Sequence, residues 1–136
     1  MSDKSTLIKG FNTHFFDFLD DVAGIIDNNS DILSSKVFFE TIKKANPTII
    51  IKYWYTHVYL PYKDIIDSGD IDFFINKDYI LDISKLKNYE QIVKGINNIK
   101  ISIKKTSKVN QEHSMKYVQN LSKISLMYQG IIGSSD

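Results

Sequence analysis

The chain has 136 residues, 43% of them hydrophobic and 24% charged, with a formal net charge of +1 and a mean hydropathy of −0.20. That length and balance fit one globular core; they argue against disorder, a membrane-spanning apolar run and a separate cofactor domain. With no cysteine, the chain has no disulfide, thiolate metal site or cysteine nucleophile, and 3 histidines leave little for an all-histidine metal site.

The first 25 residues carry apolar side chains at Leu7, Phe11, Phe15, Phe18, Val22 and Ile25, in steps of 4, 4, 3, 4 and 3, which trace one stripe of a helix. Asp27-Asn28-Asn29-Ser30 is turn-prone and ends it. Ser30 or Asp31 then caps a second helix supported by Leu33, Val37, Phe38, Thr41 and Ile42. Asn46-Pro47 reads as an N-cap followed by a proline at the first helical position, where its missing amide hydrogen has no bond to lose. The β-branched run Ile49-Ile50-Ile51 would suit a buried strand, but Ile50, Trp54 and Val58 continue at helical spacing from a capped start, which favours a third helix.

Pro61 predicts a kink or a new helix, because a proline inside a helix removes one backbone bond and crowds the preceding turn. Ser68-Gly69 gives a glycine stop, and Asp70 caps a short helix holding Phe73, Phe74 and Ile75. A less regular stretch from Lys77 to Leu86 follows. Asn88, with Gln91 three positions on, resembles a capping box for a helix bearing Ile92, Ile96, Ile99 and Ile103 on one face, weakened by Gly95. The last helix runs from about Asn110 to Tyr128 through Tyr117, Leu121 and Ile124. The fold expected is all-α: a single irregular bundle of five to seven helices over residues 1–136, with a mobile tail from about 130 to 136. Its core is Phe11, Phe15, Phe18, Val22, Trp54, Val58, Ile96, Leu121 and Ile124.

Every one of the 17 basic residues is lysine. Arginine is the usual bidentate reader of guanine and phosphate, so base-specific DNA recognition is disfavoured. Charge is also segregated: residues 1–84 carry net −5 and residues 85–136 net +6. Two faces of opposite sign would suit head-to-tail self-association or an anionic partner on the C-terminal half. The polar, acidic opening and the absence of an apolar signal region give an intracellular, cytoplasmic expectation with no membrane partner.

Catalytic signatures fail one at a time. Asp70 and Asp72 in Gly69-Asp70-Ile71-Asp72-Phe73 match the Asp-x-Asp pair with which nucleotidyltransferases hold two metal ions, a minor alternative that requires both carboxylates on a strand and a Gly-Ser turn the chain lacks. The competing reading is a helix start, with Asp70 as cap and Asp72 in the first turn. His14, His57 and His113 lie far apart without metal-ligand spacing, and His57 would act as a base only beside Asp64, Asp67 or Asp70. No P-loop, dinucleotide fingerprint or nucleophile elbow is present, so no catalytic residue, metal ligand, cofactor or small-molecule substrate is identified.

Two features suggest binding. Tyr55, Tyr59 and Tyr62 share a helical face in steps of 4 and 3, either as part of the core or as a protein interface. Lys100, Lys104, Lys105 and Lys108 form a basic group that would contact phosphates or an acidic partner, or remain a solvated face. The resulting expectation is a noncatalytic protein–protein interaction or assembly module. Nonspecific nucleic-acid binding through the lysines is the alternative.

Lys43-Lys44-Ala45-Asn46-Pro47, Trp54 with Tyr59 and Pro61-Tyr62, Gly69 to Tyr79, and Met115-Lys116-Tyr117-Val118-Gln119-Asn120-Leu121-Ser122 together form a pattern. It resembles a group of small helical proteins encoded by nucleocytoplasmic large DNA viruses, the mimivirus-like giant viruses among them. The Ile, Lys and Asn bias agrees with a genome rich in A and T. The resemblance implies an infected-cell cytoplasm, a viral factory or a virion as location, and carries over no functional residue.

Overall fold

A computed structural model describes residues 3–25, 30–76 and 89–134. Among these residues every regular element is helical and no strand occurs. The elements are α1 (Lys4–Ile25), α2 (Ser30–Ala45), α3 (Ile49–Tyr53), a π-helical segment (Trp54–Tyr59), α4 (Leu60–Ser68), α5 (Ile71–Asn76), α6 (Tyr89–Lys104) and α7 (Lys108–Ser134). The expected all-α bundle is the observed one. The turn residues Asp27 to Asn29, the stretch from Lys77 to Leu86 and the Asn88 cap lie outside the described residues.

Helix α1 is the central strut, packing against α7 most extensively and also against α2, α3 and α6. Asp3 caps it, its carboxylate accepting the Thr6 N–H at 2.7 Å, and that bond holds the Asp3 pKa below the ordinary carboxylate value. The phenylalanine stripe is buried as the spacing predicts, with Phe11, Phe15, Phe18 and Val22 all 5% exposed or less. Helix α7 contributes buried Leu121 and Tyr128 to the core, and its Ser114, Ser122 and Ser125 are buried as well.

Helix α2 spans the expected residues but is rotated from the expected face. Ile32, Ser35 and Phe39 point inward, while Leu33 and Val37 are 49% and 63% exposed. The reason is the neighbour on that side. Gly95 of α6 is buried, and a Cβ there would lie 3.1 Å from the Phe39 ring and 3.6 Å from Ser35 Oγ, so the two helices meet through a glycine and a serine. Asn98 Nδ2 donates to Ser35 Oγ at 3.2 Å across the same seam. The glycine that weakens α6 as an isolated helix is what admits α2.

The third helix begins two residues later than Asn46-Pro47 suggests, with Thr48 as its cap position and Ile49 as its first residue. Asn46 still organises the entry: its Oδ1 accepts both the Thr48 N–H at 3.1 Å and the Thr48 hydroxyl at 2.8 Å. Asn12 of α1 anchors this corner by donating to the Pro47 carbonyl at 3.0 Å. Ile49 to Ile51 is helical, with Ile50 and Ile51 buried. The last helix extends past Tyr128 to Ser134, so most of the expected tail is helical.

Four expected core residues, Trp54, Val58, Ile96 and Ile124, are half-buried instead of buried. The first three line an apolar cleft that is partly open to the surface.

Candidate functional site

Pro61 shapes the segment that carries the aromatic residues. It cannot donate to the carbonyl four residues back, and its ring crowds that turn. The chain responds by widening the preceding turns: Trp54–Tyr59 winds as a π-helix, and the Leu60 N–H bonds the Tyr55 carbonyl five residues earlier. Just past the proline, Tyr62 leaves helical geometry with φ −128° and ψ 21°. The helix then recovers to Ser68 and ends at Gly69, whose φ of 77° is left-handed, with Gly69 N–H on the Ile66 carbonyl and Asp70 N–H on the Ile65 carbonyl.

This geometry gives the three tyrosines different ring partners. Tyr55 and Tyr59 stack at 6.0 Å with their planes 28° apart, both half-buried, and the adjoining Leu60 is 47% exposed. The Tyr62 ring lies 5.4 Å from Phe73 and 6.0 Å from Phe74, and both Tyr59 and Tyr62 pack against a second small core around Ile66, Phe74 and Met115. Of the three predicted interface residues, Tyr55 and Tyr59 are in ring contact, while Tyr62 makes its ring contacts with Phe73 and Phe74 of α5.

Of the predicted lysines, Lys104, Lys105 and Lys108 are exposed where α6 turns into α7, and Lys100 is half-buried one turn earlier on α6. Asp70 and Asp72 sit at the start of α5. The Asp70 carboxylate accepts the Phe73 N–H at 3.2 Å as a helix cap, and both aspartates are exposed. The strand that a nucleotidyltransferase pair requires is replaced by a helix start, which removes that alternative's geometric basis. Among the described residues no group of three or more His, Asp or Glu is placed to hold a metal ion.

Sequence spacing gives no hint of the cluster between α1 and α7. His14 and His113 both lie against the Tyr117 ring, at 4.6 and 5.4 Å, and Phe18 stacks on it at 5.1 Å. The Tyr117 hydroxyl donates to Asp21 Oδ2, which also lies 3.6 Å from His113 Nε2. The hydrogen bond to the Asp21 carboxylate, followed by burial, pushes the Tyr117 pKa up to about 12. A neutral tyrosine held this firmly ties two helices together, and it is poorly suited to act as a base. His57 instead packs edge-on to Tyr53 at 5.9 Å and lines the cavity.

The cavity is a cleft of about 320 Å³, partly open to the surface, among α1, α2, α3, the π segment, α5, α6 and α7. Its walls are almost entirely Ile, Phe, Val and Trp54. The Trp54 indole N–H donates to the buried Ser122 hydroxyl at 3.0 Å, which fixes the ring as one wall. Phe15, Phe18, Trp54, Val58 and Ile96, expected in a filled core from their helical period, line this cleft, because period does not report the distance between helices.

No protein family model, curated protein or solved structure matches this chain. Among the described residues, no helix is long and apolar enough to cross a membrane.

Proposed function

We propose that this protein is a noncatalytic docking module whose protein partner packs on the strip formed by Tyr55, Tyr59 and Leu60. One observation carries the reading: the six-residue π-helix Trp54–Tyr59 presents two stacked, half-buried tyrosines next to an exposed leucine. π-helical turns have poorer hydrogen-bond geometry than α-helix and recur at functional sites. Tyrosine supplies a large rigid contact area with a polar end, the favoured chemistry of an interface anchor. The resemblance to giant-virus proteins supports a viral factory or virion as the place of assembly.

The test is a double substitution, Tyr55→Lys with Tyr59→Lys, leaving Tyr62 in its core. Partner capture by wild-type protein from infected or native cells, quantified by mass spectrometry, should be lost in the variant while far-UV helicity is retained. A folded variant that captures the same partner refutes the interface.

The second reading, a nonspecific nucleic-acid contact, rests on the three exposed lysines at the α6–α7 turn with Lys100 behind them. Phosphate contacts release counterions, so such binding falls steeply as salt rises, whereas an aromatic interface persists. Fluorescence anisotropy showing no DNA or RNA binding at low salt ends this reading and leaves the first intact.

A further inference from the structure

We propose that the partner packing on the Tyr55, Tyr59 and Leu60 strip does so through an acidic peptide segment, aliphatic where it meets the strip and carrying carboxylates to either side, an inference that rests on the docking reading. Charge around the strip is of one sign. Residues 41–63 hold Lys43, Lys44, Lys52 and Lys63 and no Asp or Glu, in a chain whose 17 lysines are nearly balanced by 16 acidic residues. Lys52 lies three residues before Tyr55 and Lys63 three residues after Leu60, and both are exposed. The strip is thus aromatic and aliphatic at its centre and positive at each end.

These two lysines also hold their charge in reserve. Lys36 is bonded to Asp20 at 2.6 Å, and Lys43 sits over the Phe16 ring at 4.9 Å. Lys52 and Lys63, by contrast, form no ion pair among the described residues, and Lys63 makes none with Asp64 or Asp67, exposed on α4 beside it. An exposed ammonium with no counter-charge from its own chain is open to a carboxylate brought by a partner, and complementary charge at the rim of an apolar contact speeds encounter and rejects partners of like sign. A peptide fits this surface better than a nucleobase. Tyr55 and Tyr59 spend a ring face on each other, and Leu60 offers an exposed aliphatic contact.

The probes are three matched amphipathic peptides with one leucine stripe and Glu, Gln or Lys at the remaining positions, titrated with the full chain by fluorescence anisotropy. The Glu peptide should bind saturably, the Gln peptide about tenfold more weakly and the Lys peptide more weakly still. Binding of the Glu peptide should fall as salt rises. Lys52→Glu with Lys63→Glu should weaken the Glu peptide about tenfold and make the Lys peptide the tighter of the two, a reversal that mere loss of fold cannot produce. Lys104→Glu with Lys105→Glu changes the net charge equally at the α6–α7 turn and should alter Glu-peptide binding by less than about twofold.

No saturable binding of the Glu peptide, equal binding of the Glu and Lys peptides, or equal losses in the two reversal variants overturns the acidic partner. So does a single-stranded oligonucleotide that binds as tightly as the Glu peptide and is lost with Lys52→Glu and Lys63→Glu, which would put a nucleic acid on the strip. The docking reading fails separately. If Tyr55→Ser with Tyr59→Ser stays helical and captures the wild-type partner undiminished, the strip itself falls. If that variant loses the partner while the Lys52→Glu, Lys63→Glu variant keeps it, the strip stands and its acidic occupant falls.

Discussion

Gly95→Ala places a single methyl group at the contact between α2 and α6, where its effect can be worked from the geometry. The added Cβ would lie 3.1 and 3.3 Å from two Phe39 ring carbons. Phe39 has little room to yield, being 8% exposed and held edge-on by Phe15 at 5.3 Å and by Phe38 at 5.4 Å. Overpacking of this kind costs about 1–3 kcal/mol, against a helix-propensity gain of about 1 kcal/mol for replacing an interior glycine. The net expectation is destabilisation of about 1 kcal/mol. Gly10→Ala is the matched control, because its Cβ on α1 meets nothing within 4 Å. It should stabilise by roughly 0.5–1 kcal/mol. Urea denaturation followed by far-UV circular dichroism, with the slope checked for constancy, gives both values. If Gly95→Ala stabilises the chain as much as Gly10→Ala does, α2 and α6 do not meet as described.

Three further outcomes follow from single contacts. Asp70→Ala removes the cap on the Phe73 N–H and should cost about 1 kcal/mol in urea midpoint experiments; no loss would mean that α5 does not start there. Ser122→Ala strips the acceptor from the Trp54 indole, with an expected loss of about 1–3 kcal/mol and a change in tryptophan emission, and an unchanged spectrum would contradict the bond. Tyr117→Phe tests the α1–α7 tie. The Tyr117 pKa is raised from 10.0 to about 12 in the folded chain, so the neutral hydroxyl is the favoured folded form. Its contribution is full below pH 10 and is lost as pH rises through about 12. The stability gap between wild type and Tyr117→Phe should therefore close across that window; a gap independent of pH refutes the assignment.

What the sequence discloses is what depends on local period and local chemistry. The steps through Leu7, Phe11, Phe15, Phe18 and Val22 define α1 and its buried face, and Asp70 and Gly69 act as the cap and stop that their residue types suggest. What it withholds depends on the partner helix. Leu33 and Val37 look like the core side of α2, yet Ile32, Ser35 and Phe39 form an equally good helical stripe, and the choice is made by Gly95 on a helix distant in the chain. The convergence of His14, His113 and Asp21 on Tyr117 is likewise invisible to spacing, because it is created by two helices packing side by side.

The tyrosine strip shows the same division at one proline. Pro61 guarantees a missing N–H and a crowded preceding turn. It leaves open three remedies, namely a break, a kink or a widened turn, and the chain uses the last two around a single residue. Which remedy prevails is settled by contacts on either side: Trp54 is held by Ser122 before the proline, and Tyr62 is drawn against Phe73 and Phe74 after it. Tyr55 and Tyr59 keep their shared face because both precede Pro61 in the widened segment. Uniform helical spacing puts Tyr62 on the face of Tyr55 and Tyr59, whereas in the folded chain its ring contacts are with Phe73 and Phe74.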